Sequence, residues 1–296
     1  MADKSALRPD PAVGEALKAV ARDMLSEART ALAAHDKPGA VAVHDYRKAM
    51  KRWRSLLRLL QPFLGEGGRR LRMQARDFAR ELSGARDAQA AMEALDDLLE
   101  ADADLSPRTI ASIRSRLDEI RLAAEASTLT QAVRARLIVG LDSAGAAVDA
   151  WALEHLTFPD VARELTKSYR RVRKDAPEDW RAAEAQVLHG LRSRVVAHRY
   201  QMELVVPLWP KFGRVWVAET QRLRDRLGAF QDLSVLHGFT APHAALAPWR
   251  SRLVPLILAR QAAHAKAAQR LGGRLLAERP KAFRRRIEAL WEQSRR

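Results

Sequence analysis

VHDYRKAMKRWRSLLRLLQPFL, residues 43–64, reads as an amphipathic helix with two faces of opposite character. At 100° per residue His44, Arg47, Lys51, Arg54 and Arg58 fall within roughly 80° of arc, a single basic stripe. Val43, Tyr46, Met50, Trp53, Leu57, Leu60 and Leu64 occupy a separate apolar arc. Burying that arc forces the cations into one line, where like charges at helical spacing repel by about a few tenths of a kcal/mol each. An extended anion would relieve this. Lys48 lies beside the stripe and adds to it.

Working outward, Glu66-Gly67-Gly68 opens a second basic stretch, with Arg69, Arg72, Arg76 and Arg80 opposite Leu71, Ala75, Phe78 and Leu82. Pro62 and Gly65 are expected to end the first helix near residue 61, and Ser83-Gly84 to break the next. Upstream, Asp10-Pro11 starts a helix to about residue 34, which stops before Lys37-Pro38-Gly39. Downstream, Asp87 caps a short acidic helix, and Ser106-Pro107 starts another, to about residue 126. Further helices are expected at about 130–154, 160–174, 178–209, 211–237, 246–272 and 280–294. No segment alternates with period two, so the fold class is all-α.

The formal charge of +16 and pI near 10.9 call for a polyanionic partner. Residues 1–150 hold 24 Lys and Arg against 22 Asp and Glu, a net +2; residues 151–296 hold 28 against 14, a net +14, which completes the +16. The first half therefore concentrates its positive charge locally, within 44–86. There is no cysteine, which excludes disulfides and thiolate metal sites. No signal peptide or membrane span is expected, and the expected location is the cytoplasm.

The stripe recurs. LHGLRSRVVAHRYQMELVVPLW, residues 188–209, sets His189 on His44, Arg192 on Arg47, Arg199 on Arg54 and Pro207 on Pro62, always at an offset of 145. Without a gap, the same offset sets Arg214 on Arg69, Leu227 on Leu82 and Asp232 on Asp87. Two related helical bundles follow, four-helix-bundle-like and related by a pseudo-twofold repeat, with units 1–154 and 155–296. The second copy loses cations: Lys51 becomes Val196 and Arg58 becomes Glu203. Asp87 and Asp232 have the wrong sign for phosphate and read as N-caps that also hold a histidine or arginine in place. Tyr46, Trp53, Trp209 and Trp216 read as core, away from the cations, which disfavours single-stranded nucleic acid. Arg284-Arg285-Arg286 reads as a solvated helix end.

His-x-x-Arg-x6-Arg on a basic helix, followed by Leu-x4-Asp and duplicated, resembles the CHAD (histidine α-helical) domain over about residues 10–295. HGLRSRVVAHRYQMEL is similar to the family pattern, including Arg199-Tyr200 and Glu203. The resemblance implies tandem four-helix bundles that bind inorganic polyphosphate along a basic central groove, with association with polyphosphate granules. The Glu-x-Glu-x-Lys strand motif of the triphosphate-tunnel domain is absent, implying a stand-alone, non-catalytic binding module with no cofactor and no metal. The expected polyphosphate ligands are His44, Arg47, Lys48, Lys51, Arg54, Arg58, Arg69, Arg72, Arg76, Arg80, His189, Arg192, Arg199 and Arg214. His44 and His189 either touch phosphate or orient the arginines. Two rival readings stand beside this one. A basic helical protein could bind nucleic acid, and the dipeptides His35-Asp36 and His44-Asp45 could belong to a helical metal-dependent phosphohydrolase.

Overall fold

In the computed structural model, the structure describes residues 6–7, 12–34, 39–82, 86–101 and 103–295, without the side chains of 125–128. Among the described residues ten α-helices follow one another: α1 (Val13–Ala33), α2 (Gly39–Glu81), α3 (Arg86–Leu99), α4 (Pro107–Thr128), α5 (Gln131–Asp149), α6 (Phe158–Asp175), α7 (Ala185–Glu203), α8 (Pro210–Phe239), α9 (Arg250–Leu275) and α10 (Pro280–Ser294). Among the described residues there is no strand. Asp10-Pro11, His35-Asp36, Lys37-Pro38 and Ser83-Gly84 lie outside the described set.

Helix α2 is two arms. Gly65 takes φ 54°, in the left-handed region, and the helix breaks there. Beyond the break the chain reverses. Arg47 Nη1 donates to the Leu82 carbonyl at 2.8 Å across 35 residues, a span of about 50 Å in a straight helix. Arms 39–64 and 66–81 therefore pack antiparallel, which brings the second basic stretch beside the first. Pro62 does not end the helix as expected. It sits within the final turn of the first arm on the exposed side, where a lost N–H costs least, and the glycine makes the turn.

The helix order repeats at the sequence offset. Val13 and Phe158 open α1 and α6; α4 and α9, and α5 and α10, correspond in turn. α1 packs on α2 and α5, as α6 packs on α7 and α10. The copies differ at their joints: α7 ends at Glu203 and a 3-10 turn, Val206–Leu208, leads into α8, where the first arm of α2 stays helical to residue 64. In the first copy, the chain breaks between α2 and α3; in the second, α8 runs through the corresponding position without interruption. The 178–209 helix is also shorter than expected: it begins at Ala185, because Asp179 accepts from the Arg181 amide at 2.8 Å in a local turn.

Two apolar cores hold the helices. The larger contains Leu17, Met24, Tyr46, Trp53, Leu57 and Leu141 together with Leu165, Tyr169, Leu188, Val195 and Phe283, so it runs through both copies. The smaller joins Leu95 and Leu98 of α3 and Ile113 and Leu117 of α4 to Leu233 and Leu236 of α8 and Leu253 and Ile257 of α9. Close contact is built in at Gly14, where a Cβ would lie 2.2 Å from the Leu153 carbonyl oxygen, so α1 can rest on the connection leaving α5. Between the two cores, α2, α3, α7 and α8 leave a cleft.

Candidate functional site

The first arm of α2 supplies the spine of the site. Its apolar arc is buried: Tyr46 and Trp53 are within 1% of complete burial, and Trp53 stacks on Trp151 with centroids 5.8 Å apart. The opposite face carries the basic stripe, now flanked on both sides. The second arm of α2 brings Arg72, Arg76 and Arg80 against Arg54, and Arg72 against Arg58. From the second copy, Arg171 of α6 and Arg194 of α7 approach Arg58, while Arg192 of α7 and Arg224 of α8 approach Lys51. Cations from four helices thus form one continuous tract.

The tract has an open part and an enclosed part. Arg54, Arg58, Arg72 and Arg76 make the open part, and none forms an ion pair within the described residues. The enclosed part is a cleft of about 1040 Å³ lined by His44, Arg47 and Lys51 of α2, Arg86, Glu93 and Asp97 of α3, Arg192 of α7 and Arg224, Asp225, Gly228 and Asp232 of α8. Arg192 lies along α8 at Gly228, where an added Cβ would make an ordinary contact with its Nε at 3.5 Å. That Nε is buried without a hydrogen-bond partner in the described structure.

Electrostatic strain is written into these groups. Burial, then the neighbouring Arg86, Arg224, Arg192 and Arg47, pulls the Lys51 ammonium down to about 8. Burial and neighbouring arginines likewise lower Arg47, Arg54, Arg58 and Arg192, all of which stay charged at neutral pH. Burial pushes the Asp232 carboxyl up to about 6, against the pull of Arg192. Such an arrangement binds anions; it presents cations that gain energy when a multiply charged anion arrives.

A family model, the CHAD domain, matches residues 15–241. The chain belongs to the CHAD domain family. No curated protein matches it. The crystal structure of the CHAD domain from the plant Ricinus communis is 21% identical, covers 98% of this chain and 94% of that chain, and superposes with a TM-score of 0.49.

In this CHAD domain the expected site residues separate into groups. His44, Arg47, Lys51 and Arg192 line the cleft, and Arg54, Arg58, Arg72, Arg76 and Arg80 meet along the two arms of α2. Five others are placed differently. Arg199 is held by Glu203 at 2.7 Å and lies 4.8 Å over the Tyr200 ring. His189 Nδ1 meets Gln231 Oε1 of α8 at 3.1 Å and is not a cleft-lining residue. Arg69 pairs with Glu66 at 3.6 Å, and Lys48 and Arg214 are exposed and do not line the cleft. Asp232 is no N-cap, because α8 has already run from Pro210 when it reaches it; Asp87 sits inside the first turn of α3. Trp209 is 48% exposed and stacks on Phe212 instead of joining the core. Arg286 is no solvated end: it pairs with Glu278 at 2.6 Å and covers the Phe212 ring at 4.6 Å.

Sequence reasoning did not rank Arg86, Arg171, Glu93, Asp97 or Asp225, and it read Asp232 as a cap. Arg86 stands on no basic stripe of its own, and only packing delivers it and Arg171 to the tract. Among the described residues no group of three or more His, Cys, Asp or Glu side chains converges in a metal-holding geometry. His44 stands beside Arg47 in the cationic cleft, a setting that opposes a metal ion. His35 and Asp36 lie outside the described residues. No helix among the described residues is long and apolar enough to cross a membrane.

Proposed function

We propose that this CHAD-family chain binds inorganic polyphosphate through multivalent charge pairing, without chemistry of its own. The observation that carries this reading is the line of cations running from the cleft along the two arms of α2, with Arg54, Arg58, Arg72 and Arg76 left without carboxylate partners among the described residues. Arginine offers bidentate forks to phosphate oxygens, Lys51 a point charge and His44 a further donor at the cleft rim. A long chain engages many of these at once, with high effective concentration for every contact after the first. In a cell this reading places the protein in the cytoplasm, at polyphosphate granules.

Thermal melting with long-chain polyphosphate, orthophosphate and sulfate, at equal total anion and matched ionic strength, tests the reading. Polyphosphate at a hundredfold excess over Kd stabilises the fold by about 2.7 kcal/mol, a shift of several degrees for a chain of this size. Equal shifts with all three anions would reduce the tract to generic screening. Nucleic acid is the second reading, and the buried positions of Tyr46 and Trp53 argue against it, since among the described residues no aromatic side chain lines the cleft. Competition separates the two: polyphosphate displaces RNA at matched phosphate, and RNA fails to displace polyphosphate.

Within this reading the two arginines of the second copy behave differently. Arg192→Ala lowers polyphosphate affinity about tenfold, the size of one charge-assisted hydrogen bond. Arg199→Ala changes it by less than about twofold, because Glu203 and Tyr200 already occupy that guanidinium. Titration of the two variants with one polyphosphate preparation checks the order; the reverse order would remove Arg192 from the site.

A further inference from the structure

The cleft differs in kind from the open tract, because carboxylates stand in its wall among the cations. Asp97 is held by Arg260 at 2.6 Å and His264 at 2.8 Å, and Asp225 by Arg224 at 2.6 Å. Glu93 accepts from Gln89 at 3.0 Å. Asp232 forms no hydrogen bond within the described residues, although it faces the same space as Arg192. A polyanion in the cleft meets these carboxylates side by side with Lys51, Arg192, Arg86 and Arg224, so it lies against negative as well as positive charge.

We propose that the cleft receives the terminal phosphate of a polyphosphate chain and that Asp232 reads the one proton such a phosphate carries. The proposal rests on the polyphosphate reading above and specifies which part of the ligand enters the cleft. The chemistry is selective. An internal phosphate of the chain has a single, strongly acidic hydroxyl and holds no proton near neutrality. A terminal phosphate keeps a second proton that leaves at about 6, as in a phosphate monoester. Only the terminal group offers a P–OH that can donate to a carboxylate while its remaining oxygens accept from arginine. Against an internal phosphate, Asp232 offers repulsion alone.

One proton then lies between Asp232 and the phosphate. Facing it are Arg192 from α7, Arg224 and Asp225 from α8, Arg86 and Glu93 from α3, and Arg47, Lys51 and the rim residue His44 from α2. Burial raises the Asp232 carboxyl to about 6 in the free protein, so near pH 6 one proton is available to the pair. By pH 8 both partners are ionised and repel, and the preference for chain ends fades. The arginines keep their charge throughout, so affinity along the open tract stays.

The test compares short-chain polyphosphate bearing free ends with the same chains whose two terminal phosphates are converted to methyl esters, which lack both the weakly acidic proton and any donor in its place. Each is titrated at pH 6 and pH 8, at matched ionic strength, with the full chain and with Asp232→Asn. Free ends are expected to bind about tenfold tighter at pH 6 and no more than about twofold tighter at pH 8. In Asp232→Asn the preference for free ends at pH 6 is lost, and the ratio no longer falls between pH 6 and pH 8. Equal affinity for both ligands in the unsubstituted protein at both pH values would overturn end recognition and leave polyphosphate binding standing. Failure of both ligands to bind would instead remove the polyphosphate reading itself. A pH slope unchanged in Asp232→Asn would exclude Asp232 as the reader. Should that variant fail to fold, the two ratios of the unsubstituted protein still decide whether ends are recognised.

Discussion

Replacing Arg54 and Arg58 together by glutamate is expected to weaken polyphosphate binding by about a hundredfold or more at low salt. Both guanidiniums sit on the first arm of α2, half-buried and without ion pairs in the described structure, facing Arg72 and Arg76 of the returning arm. Each loss removes a charge-assisted contact of about 1.5 kcal/mol or more, and two such losses give the stated factor. Reversal goes further than removal, because each glutamate neutralises an arginine across the hairpin and withdraws it from the ligand. The dependence of log Kd on log salt concentration should flatten as well, since fewer counterions are released from the polyanion. The free variant should melt at or above the temperature of the original chain, because like-charge repulsion is exchanged for attraction. A binding titration over a salt series, run beside a melt, checks this. Affinity within about threefold of the original would move the binding surface off α2.

Lys51→Met is expected to stabilise the free protein by about 2 kcal/mol at pH 7 while lowering polyphosphate affinity about tenfold. Burial and the surrounding arginines depress the Lys51 ammonium to about 8, against roughly 10.4 in an unfolded chain. The sign follows from proton counting. Between those two values the unfolded chain binds the proton and the folded one does not, so stability rises with pH across that window. Below about 8 both states are charged and the folded state bears the whole penalty. Two and a half pKa units would give about 3 kcal/mol, and partial solvent access brings this to about 2. Methionine keeps the length and removes the charge. Its gain is present at pH 7 and vanishes above about pH 10.5, where lysine is neutral in both states. The second copy already carries Val196 at the corresponding position. Polyphosphate acts in the opposite direction: it favours the charged ammonium, so binding to the original chain near pH 8.5 takes up a proton, and binding to Lys51→Met takes up less. Melts at pH 7 and pH 10.5 decide the first half; an unchanged melting temperature at pH 7 would mean that Lys51 is solvated and lies outside the cleft. Calorimetric titration in two buffers of different ionisation enthalpy decides the second.

Both results turn on charges that face one another across helices, and the sequence showed only part of that. Periodicity placed His44, Arg47, Lys51, Arg54 and Arg58 on one face and Tyr46 and Trp53 on the other, because a helix has a fixed angle per residue and an apolar arc must be buried. Gly65 could be read as the end of an arm, since a left-handed residue there favours glycine. Ser106-Pro107 could be read as a start, and the Ser106 hydroxyl does accept from the Thr109 amide at 3.2 Å. The offset of 145 aligned the copies, and α1 and α6 open at Val13 and Phe158, at that offset. These are local rules, or comparisons of the chain with itself, and they need no partner.

What lies opposite a face is a different question. Arg199 matches Arg54 in the repeat, yet Glu203 one turn away claims it, where the first copy has Arg58. Asp232 matches Asp87, but α8 runs unbroken through its position, so one carboxylate sits in a first turn and the other in the wall of a cleft. Arg86, Arg171 and Arg224 join the tract only because α3, α6 and α8 deliver them to α2. Helical periodicity and the repeat were enough to determine an all-α chain, its two copies and the basic spine of α2. The enclosure of Lys51 and the carboxylates and arginines beside it were decided by tertiary packing, because Coulomb energy and desolvation depend on distance through space and not on separation along the chain.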